Sequence, residues 1–166
     1  RAGTLALSGP PWGTWFWFPD DDPTTSPTLG QRCFVRRVTV KGIVTNAKIK
    51  CWADDGAAIY VNGKRILRVE YGGPSMEAAV GHLLQQGENI IAIDAKNDYG
   101  AAGILFEMTV RTDDGTVQNI TGDDQWKATK TPLDRGWATA PPANIEWVGV
   151  KLLGTGLMKP WGFVDW

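Results

Sequence analysis

Ala47-Lys48-Ile49-Lys50-Cys51-Trp52-Ala53 is the stretch that decides the fold. In an extended chain Ala47, Ile49, Cys51 and Ala53 fall on one side, with Lys48, Lys50 and Trp52 on the other. A period of two belongs to a strand with one face against a core. Downstream, Ala57–Val61 continues as a strand and meets Asn62-Gly63, a dipeptide that closes two-residue hairpins because both residues accept positive φ. Arg65–Tyr71 fits the returning strand, and Gly72-Gly73-Pro74 breaks it. Ser75–Leu84 reads as one helical turn, capped by Ser75, with Gly87 ending the element. Asn89–Ala95 and Ile104–Arg111 are apolar, β-branched runs, and Asp113-Asp114-Gly115 turns the second into Thr116–Ile120. Upstream, Cys33–Val40 is a strand, and Trp15-Phe16-Trp17-Phe18 closes at Pro19 and the acidic run Asp20-Asp21-Asp22. Short strands with recurring turn signals predict an all-β, antiparallel β-sandwich with at most one short helix. Its core should hold Ile49, Ile91, Ile93 and Leu105.

At 166 residues, with neither internal repeat nor linker, the chain reads as a single domain, 1–166. Seventeen Lys and Arg stand against 18 Asp and Glu, a net charge of −1, which argues against a nucleic-acid partner. No apolar run approaches the roughly 20 residues of a membrane span, so no membrane insertion is expected. Nine Trp are many for this length and predict surplus aromatic surface. Beginning at Arg1 without Met or a signal peptide, the chain reads as a processed or excised piece.

A series of motifs runs along the chain: Trp15-Phe16-Trp17-Phe18-Pro19, Arg32-Cys33-Phe34-Val35-Arg36-Arg37, Ala53-Asp54-Asp55-Gly56 and Tyr60-Val61-Asn62-Gly63-Lys64. It continues with Leu84, Gly87-Glu88-Asn89, Ala92, Asn97, Ala102-Gly103, Asp124-Gln125-Trp126-Lys127 and Pro160-Trp161-Gly162. In order and spacing, over about residues 12–162, it resembles the galactose-binding-domain-like jelly-roll module at the N-terminal side of bacterial α-L-rhamnosidases. The resemblance implies a non-catalytic, lectin-like carbohydrate-binding module, part of a larger multidomain protein that is extracellular or on the cell surface. It also implies a sugar seated on Ca2+, with Asp54, Asp55 and Asn97 at the ligand positions and Tyr71 near the place of a ring-contacting aromatic. A backbone carbonyl near Ala101 or Ala102 stands where Pro is common in such relatives. By the family register Cys51 points inward and Cys33 outward, so the two are not expected to bond.

The residues carry part of this reading by themselves. Calcium takes six to eight oxygens from carboxylates, amides and carbonyls gathered on loops, which suits Asp54, Asp55 and Asn97 as metal ligands. Asp-Asp-Gly is equally a plain turn. The Asp20–Asp22, Asp113-Asp114 and Asp123-Asp124 groups read as solvated loops and turns. Trp15 and Trp17 point the same way by alternation and read as framework, and the resemblance implies the same for Trp126 and Trp161. Trp12, Trp52, Trp137 and Trp166 are the candidates for exposed indoles, and Trp52, beside the acidic pair, joins Asp54, Asp55, Tyr71 and Asn97 as a glycan contact. His82 is the single His, and no Gly-x-Ser-x-Gly elbow occurs, so no enzyme activity is expected. Two functional readings stand: glycan binding, or a structural or protein-interaction module that binds no sugar.

Overall fold

A computed structural model describes residues 13–19, 22–25, 27–70, 75–156 and 158–161. Twelve strands make two antiparallel sheets. They are β1 (Thr14–Trp17), β2 (Gly30–Val40), β3 (Val44–Asp54), β4 (Gly56–Val61), β5 (Lys64–Glu70) and β6 (Met76–Ala79), then β7 (Gly87–Asn97), β8 (Gly103–Thr112), β9 (Val117–Thr121), β10 (Lys127–Thr129), β11 (Val148–Gly149) and β12 (Lys151–Thr155). The first sheet runs β12-β1-β8-β3-β6, with β9 also on β8; the second runs β11-β10-β2-β7-β4-β5. This is the expected jelly-roll sandwich.

The long pairings form its spine. β2 and β7 stay in register from Gly30 opposite Asn97 to Val40 opposite Gly87. β3 and β8 pair from Val44 to Asp54, and the alternation of Ala47, Ile49, Cys51 and Ala53 puts all four in the core between the sheets. Ile59, Ile91, Ile93 and Phe34 face them from the second sheet, and Phe106 lies beside Cys51. Asn62 and Gly63 both have positive φ, which closes the β4–β5 hairpin as read. Asp114 caps the β8–β9 turn, its Oδ1 accepting from Thr112 Oγ1 at 2.7 Å and from the Thr116 N–H at 2.9 Å. Asp123 accepts two bonds from Arg36, at 3.1 and 2.8 Å, and so ties β2 to the loop before β10.

Several expectations are corrected. Ser75–Leu84 is not a helical turn: Met76–Ala79 pairs with Lys48–Cys51 as an edge strand, and only Gly81–Leu83 winds, as a 3-10 turn carrying His82. The open edge of β3 offers backbone hydrogen bonds that outweigh the local capping signal. Trp15 and Trp17 do not share a face. A bulge between Trp15 and Phe16 breaks the alternation, so Phe16 and Trp17 join the main core while Trp15 packs in a separate cluster. That cluster also takes Leu105, which is fully buried but lies away from the inter-sheet core, and Trp52. Cys33 does leave the inter-sheet core, yet it is buried with Val35, Ala92, Trp137 and Ala138 beneath the segment after β10. Both thiols are free and buried, and burial pushes each well above its ordinary pKa.

Trp126 shows how much one indole carries. Fully buried, it stacks on Phe16 at 4.9 Å, meets Phe106 edge-on at 5.1 Å and donates its N–H to the Thr121 carbonyl at 2.8 Å. Trp126→Ala should therefore lower the unfolding free energy by about 3–5 kcal/mol, the range for large aromatic deletions in cores. Urea titration followed by circular dichroism measures it, and a loss under about 1 kcal/mol would remove Trp126 from the framework.

Candidate functional site

The acidic pair stands where the chain changes sheets. β3 ends at Asp54 in the first sheet and β4 begins at Gly56 in the second, so Asp55 alone makes the crossing. The Asp55 N–H donates to the Lys96 carbonyl at 3.2 Å, continuing the β4–β7 ladder by one step. Gly56 fits closely beside it: a Cβ there would lie 3.0 Å from Glu70 Oε1 and 3.2 Å from the Val69 carbonyl.

Each carboxylate has its own partner. Asp55 Oδ2 accepts two backbone N–H groups, from Asp98 at 2.5 Å and from Tyr99 at 2.8 Å, which fastens the loop after β7 to the corner. Asp54 Oδ2 accepts the indole N–H of Trp161 at 2.9 Å. Trp161 stacks on Trp15 at 4.0 Å, and Trp15 meets Trp52 edge-on at 5.3 Å. Gly103, opposite Asp54 in the register, makes room for that stack, since a Cβ there would sit 2.8 Å from the Trp161 ring and 2.9 Å from Trp15.

Asn97, the last residue of β7, is fully buried. Its amide donates to the Pro27 carbonyl at 3.4 Å, and its Oδ1 has no hydrogen-bond partner. A buried amide oxygen left without a donor is costly. Two carboxylates, hydrogen-bonded to each other, and one orphaned amide oxygen thus belong to the same end of the sandwich. This hard-oxygen donor set fits a calcium ion. Among the described residues no group of three or more His, Cys, Asp and Glu could hold a metal ion.

The other predicted positions divide. Tyr71, Trp12 and Trp166 lie outside the described residues. Trp52, expected as an exposed glycan contact, is 9% exposed, its ring occupied by Trp15. Trp137 is 8% exposed, packed near Trp147 over the second sheet. Both corrections have one cause: segments distant in sequence cover parts of each outer sheet face, so pointing away from the inter-sheet core is not pointing to solvent. Two features escaped the sequence reading. Trp161 was read as framework, but its tie to Asp54 depends on residues 107 apart. Tyr99 was read only as part of the Asn97-Asp98-Tyr99-Gly100 loop, yet it is 84% exposed. An aromatic between Asp and Gly in a polar loop was the available signal. Larger hollows lie elsewhere. One of about 350 Å³ on the first sheet is lined by Lys48, Lys50 and Glu107 among others, and Glu77 pairs with both lysines nearby.

No family model matches the chain. The α-L-rhamnosidase of Streptomyces avermitilis is 27% identical over 159 residues, 91% of this chain and 15% of that protein. The crystal structure of that organism's α-L-rhamnosidase complexed with L-rhamnose superposes with a TM-score of 0.83 at 26% identity, over 92% of this chain and 16% of the other. A Pleurotus ostreatus lectin, solved in complex with GalNAc, superposes with a TM-score of 0.81 at 24% identity, over 93% of this chain and 48% of the lectin chain. The chain therefore resembles a rhamnosidase module and shares its fold with a lectin, while spanning about one sixth of the rhamnosidase.

The electrostatics of Asp54 give a test of the corner. The residue is 6% exposed, and burial is the main cause that pushes its carboxyl from 3.8 up to about 7; the Trp161 N–H pulls the other way, and Asp55 adds to the rise. Folded Asp54 keeps its proton up to about pH 7, whereas the unfolded residue releases it near 3.8. Between those values the folded state binds more protons, so this group's contribution to stability is present below 3.8 and is lost as pH rises through 7. In chelator, the melting temperature should fall from pH 5 to pH 8, and Asp54→Asn should flatten that fall. Thermal melts across this range check it, and equal slopes in the two proteins would show that Asp54 is not held protonated.

Proposed function

We propose that this chain is a non-catalytic carbohydrate-binding module that recognises a glycan through a calcium ion held by Asp54, Asp55 and Asn97. The observation that carries the reading is the corner itself. Two carboxylates and an orphaned amide oxygen occur at one end of a sandwich whose fold is that of a rhamnosidase module and a lectin. The carboxylates supply negative charge, and Asn97 Oδ1 adds a donor without adding repulsion. Trp161 and the two loop N–H groups orient one oxygen of each carboxylate, and a cation would take the place of the hydrogen bond between the two side chains. Bound calcium would offer open coordination positions to neighbouring sugar hydroxyls. Tyr71 is kept in this reading as a ring contact.

The non-catalytic assignment is supported by extent: the chain corresponds to 15% of the rhamnosidase and has a lectin's fold. On the same ground we read it as one module of a larger protein, extracellular or at a cell surface where glycans are met. L-rhamnose and GalNAc, the sugars seen with its structural neighbours, are the first ligands to try.

A glycan array probed in calcium and in chelator tests the proposal, with melting curves alongside. Calcium bound only by the folded state at a hundredfold excess over its Kd stabilises by about 2.7 kcal/mol. For a domain of this size that is a rise in Tm of about 5–10 °C. Asp54→Ala should abolish both that rise and glycan retention while the chelated protein stays folded. If millimolar calcium leaves the wild-type Tm unchanged, the metal-mediated mechanism is wrong, and a docking module without a sugar ligand becomes the better reading.

A further inference from the structure

We propose that Tyr99 is a sugar-contacting aromatic surface of this site, and that Asp55 is the residue that positions it; this rests on the glycan-binding reading above. A single exposed aromatic is ordinary on a protein surface. Tyr99 differs in how its backbone is held. Its N–H and that of Asp98 share one acceptor, Asp55 Oδ2, so the residue is fixed to the corner that carries the acidic pair. Asp98 is tied down on its other side, its carboxylate 3.1 Å from Lys96 Nζ. Gly100 follows with φ +67°, a left-handed conformation that turns the chain immediately after the ring. The loop is thus anchored at two consecutive N–H groups, and 84% of Tyr99 remains in solvent, two residues from buried Asn97.

That arrangement suits a pyranose. A phenol ring gives a flat apolar face for the C–H face of a sugar, and its hydroxyl can donate to or accept from a sugar hydroxyl. Anchoring the backbone beforehand lowers the ordering cost of binding, which is how a small exposed contact gains affinity. The same carboxylate would then do two separate things: its Oδ2 holds the aromatic loop, and its charge draws the cation. Sugar contact and cation contact are thereby brought to one end by a single side chain.

Isothermal titration of the full chain in calcium, with L-rhamnose in one arm and GalNAc in the other, tests this. Tyr99→Ala should weaken binding of the recognised sugar about tenfold, an effect of roughly one decade in Kd. Tyr99→Phe, which keeps the ring, should stay within about threefold of wild type. Both variants should keep the calcium-dependent rise in melting temperature, because the ring does not touch the metal. Wild-type affinity in Tyr99→Ala would overturn the proposal and leave the glycan-binding reading intact. Loss of the calcium response in Tyr99→Ala would also overturn it, since the residue would then be supporting the cation site rather than the sugar. Failure of the wild-type protein to bind either sugar in calcium, or any glycan on the array, would remove both readings together.

Discussion

Everything at the candidate site follows from one constraint: the chain passes between sheets in a single residue. From Asp54 to Gly56 the Cα path covers at most about 7.6 Å, whereas stacked sheets lie about 10 Å apart. The two sheets must therefore draw together where β3 hands over to β4, and the core ends there. Polar residues occupy that end, with Asp54 and Asn97 both buried. The corner also fixes which groups meet. Asp55 falls beside the end of β7, and Asp54 falls beside the start of β8.

The aromatic residues cover parts of both outer sheet faces. Trp15, Trp52 and Trp161 pack with Leu105 on one flank, and Trp137 and Trp147 close over Cys33, Val35 and Ala92 on the other. A two-layer sandwich of this length would ordinarily leave both outer faces to solvent. Here the later segments fold back over parts of them, and tryptophan supplies the area needed to hold those segments down. The indole N–H groups are used as fasteners as well: Trp15 donates to the Gly156 carbonyl at 3.2 Å and Trp147 to the Pro142 carbonyl at 2.8 Å.

How much of this could be read from residues alone depended on the range of the interaction. The central strands were legible because a period of two is local: Ile49 and Cys51 declare their face within a few residues. The Asn62-Gly63 hairpin and the Asp114 turn were legible for the same reason. The bulge in β1 was not, because it depends on how Trp15 and Phe16 meet Gly154 and Leu152 far along the chain. Nor was β6, whose strand character comes from the edge of β3 rather than from Met76–Ala79. Trp52 and Trp137 were misplaced because exposure was inferred from facing, and facing says nothing of segments that return later. At the site, the resemblance marked Asp54, Asp55 and Asn97 by position. That Asp55 binds the Tyr99 loop and Asp54 binds Trp161 needed three dimensions.

The two carboxylates are held by different halves of the fold. Asp54 is oriented by Trp161, which rests on Trp15 over the first sheet, in space that exists because Gly103 lacks a side chain. Asp55 is oriented by the loop leaving β7 of the second sheet. Their partners therefore come from both sheets, although the residues are adjacent in sequence. A group of this kind comes into being only with the complete sandwich. The burial that lifts the Asp54 carboxyl to about 7 works against the folded state at higher pH. A cation beside the pair would reverse that penalty, because positive charge at short range favours the ionised form. Stability gained from such a cation would be spread over both sheets, since its ligands are anchored in both. In the proposed reading, metal binding would therefore be coupled to the meeting of the two sheets through the crossing at Asp55.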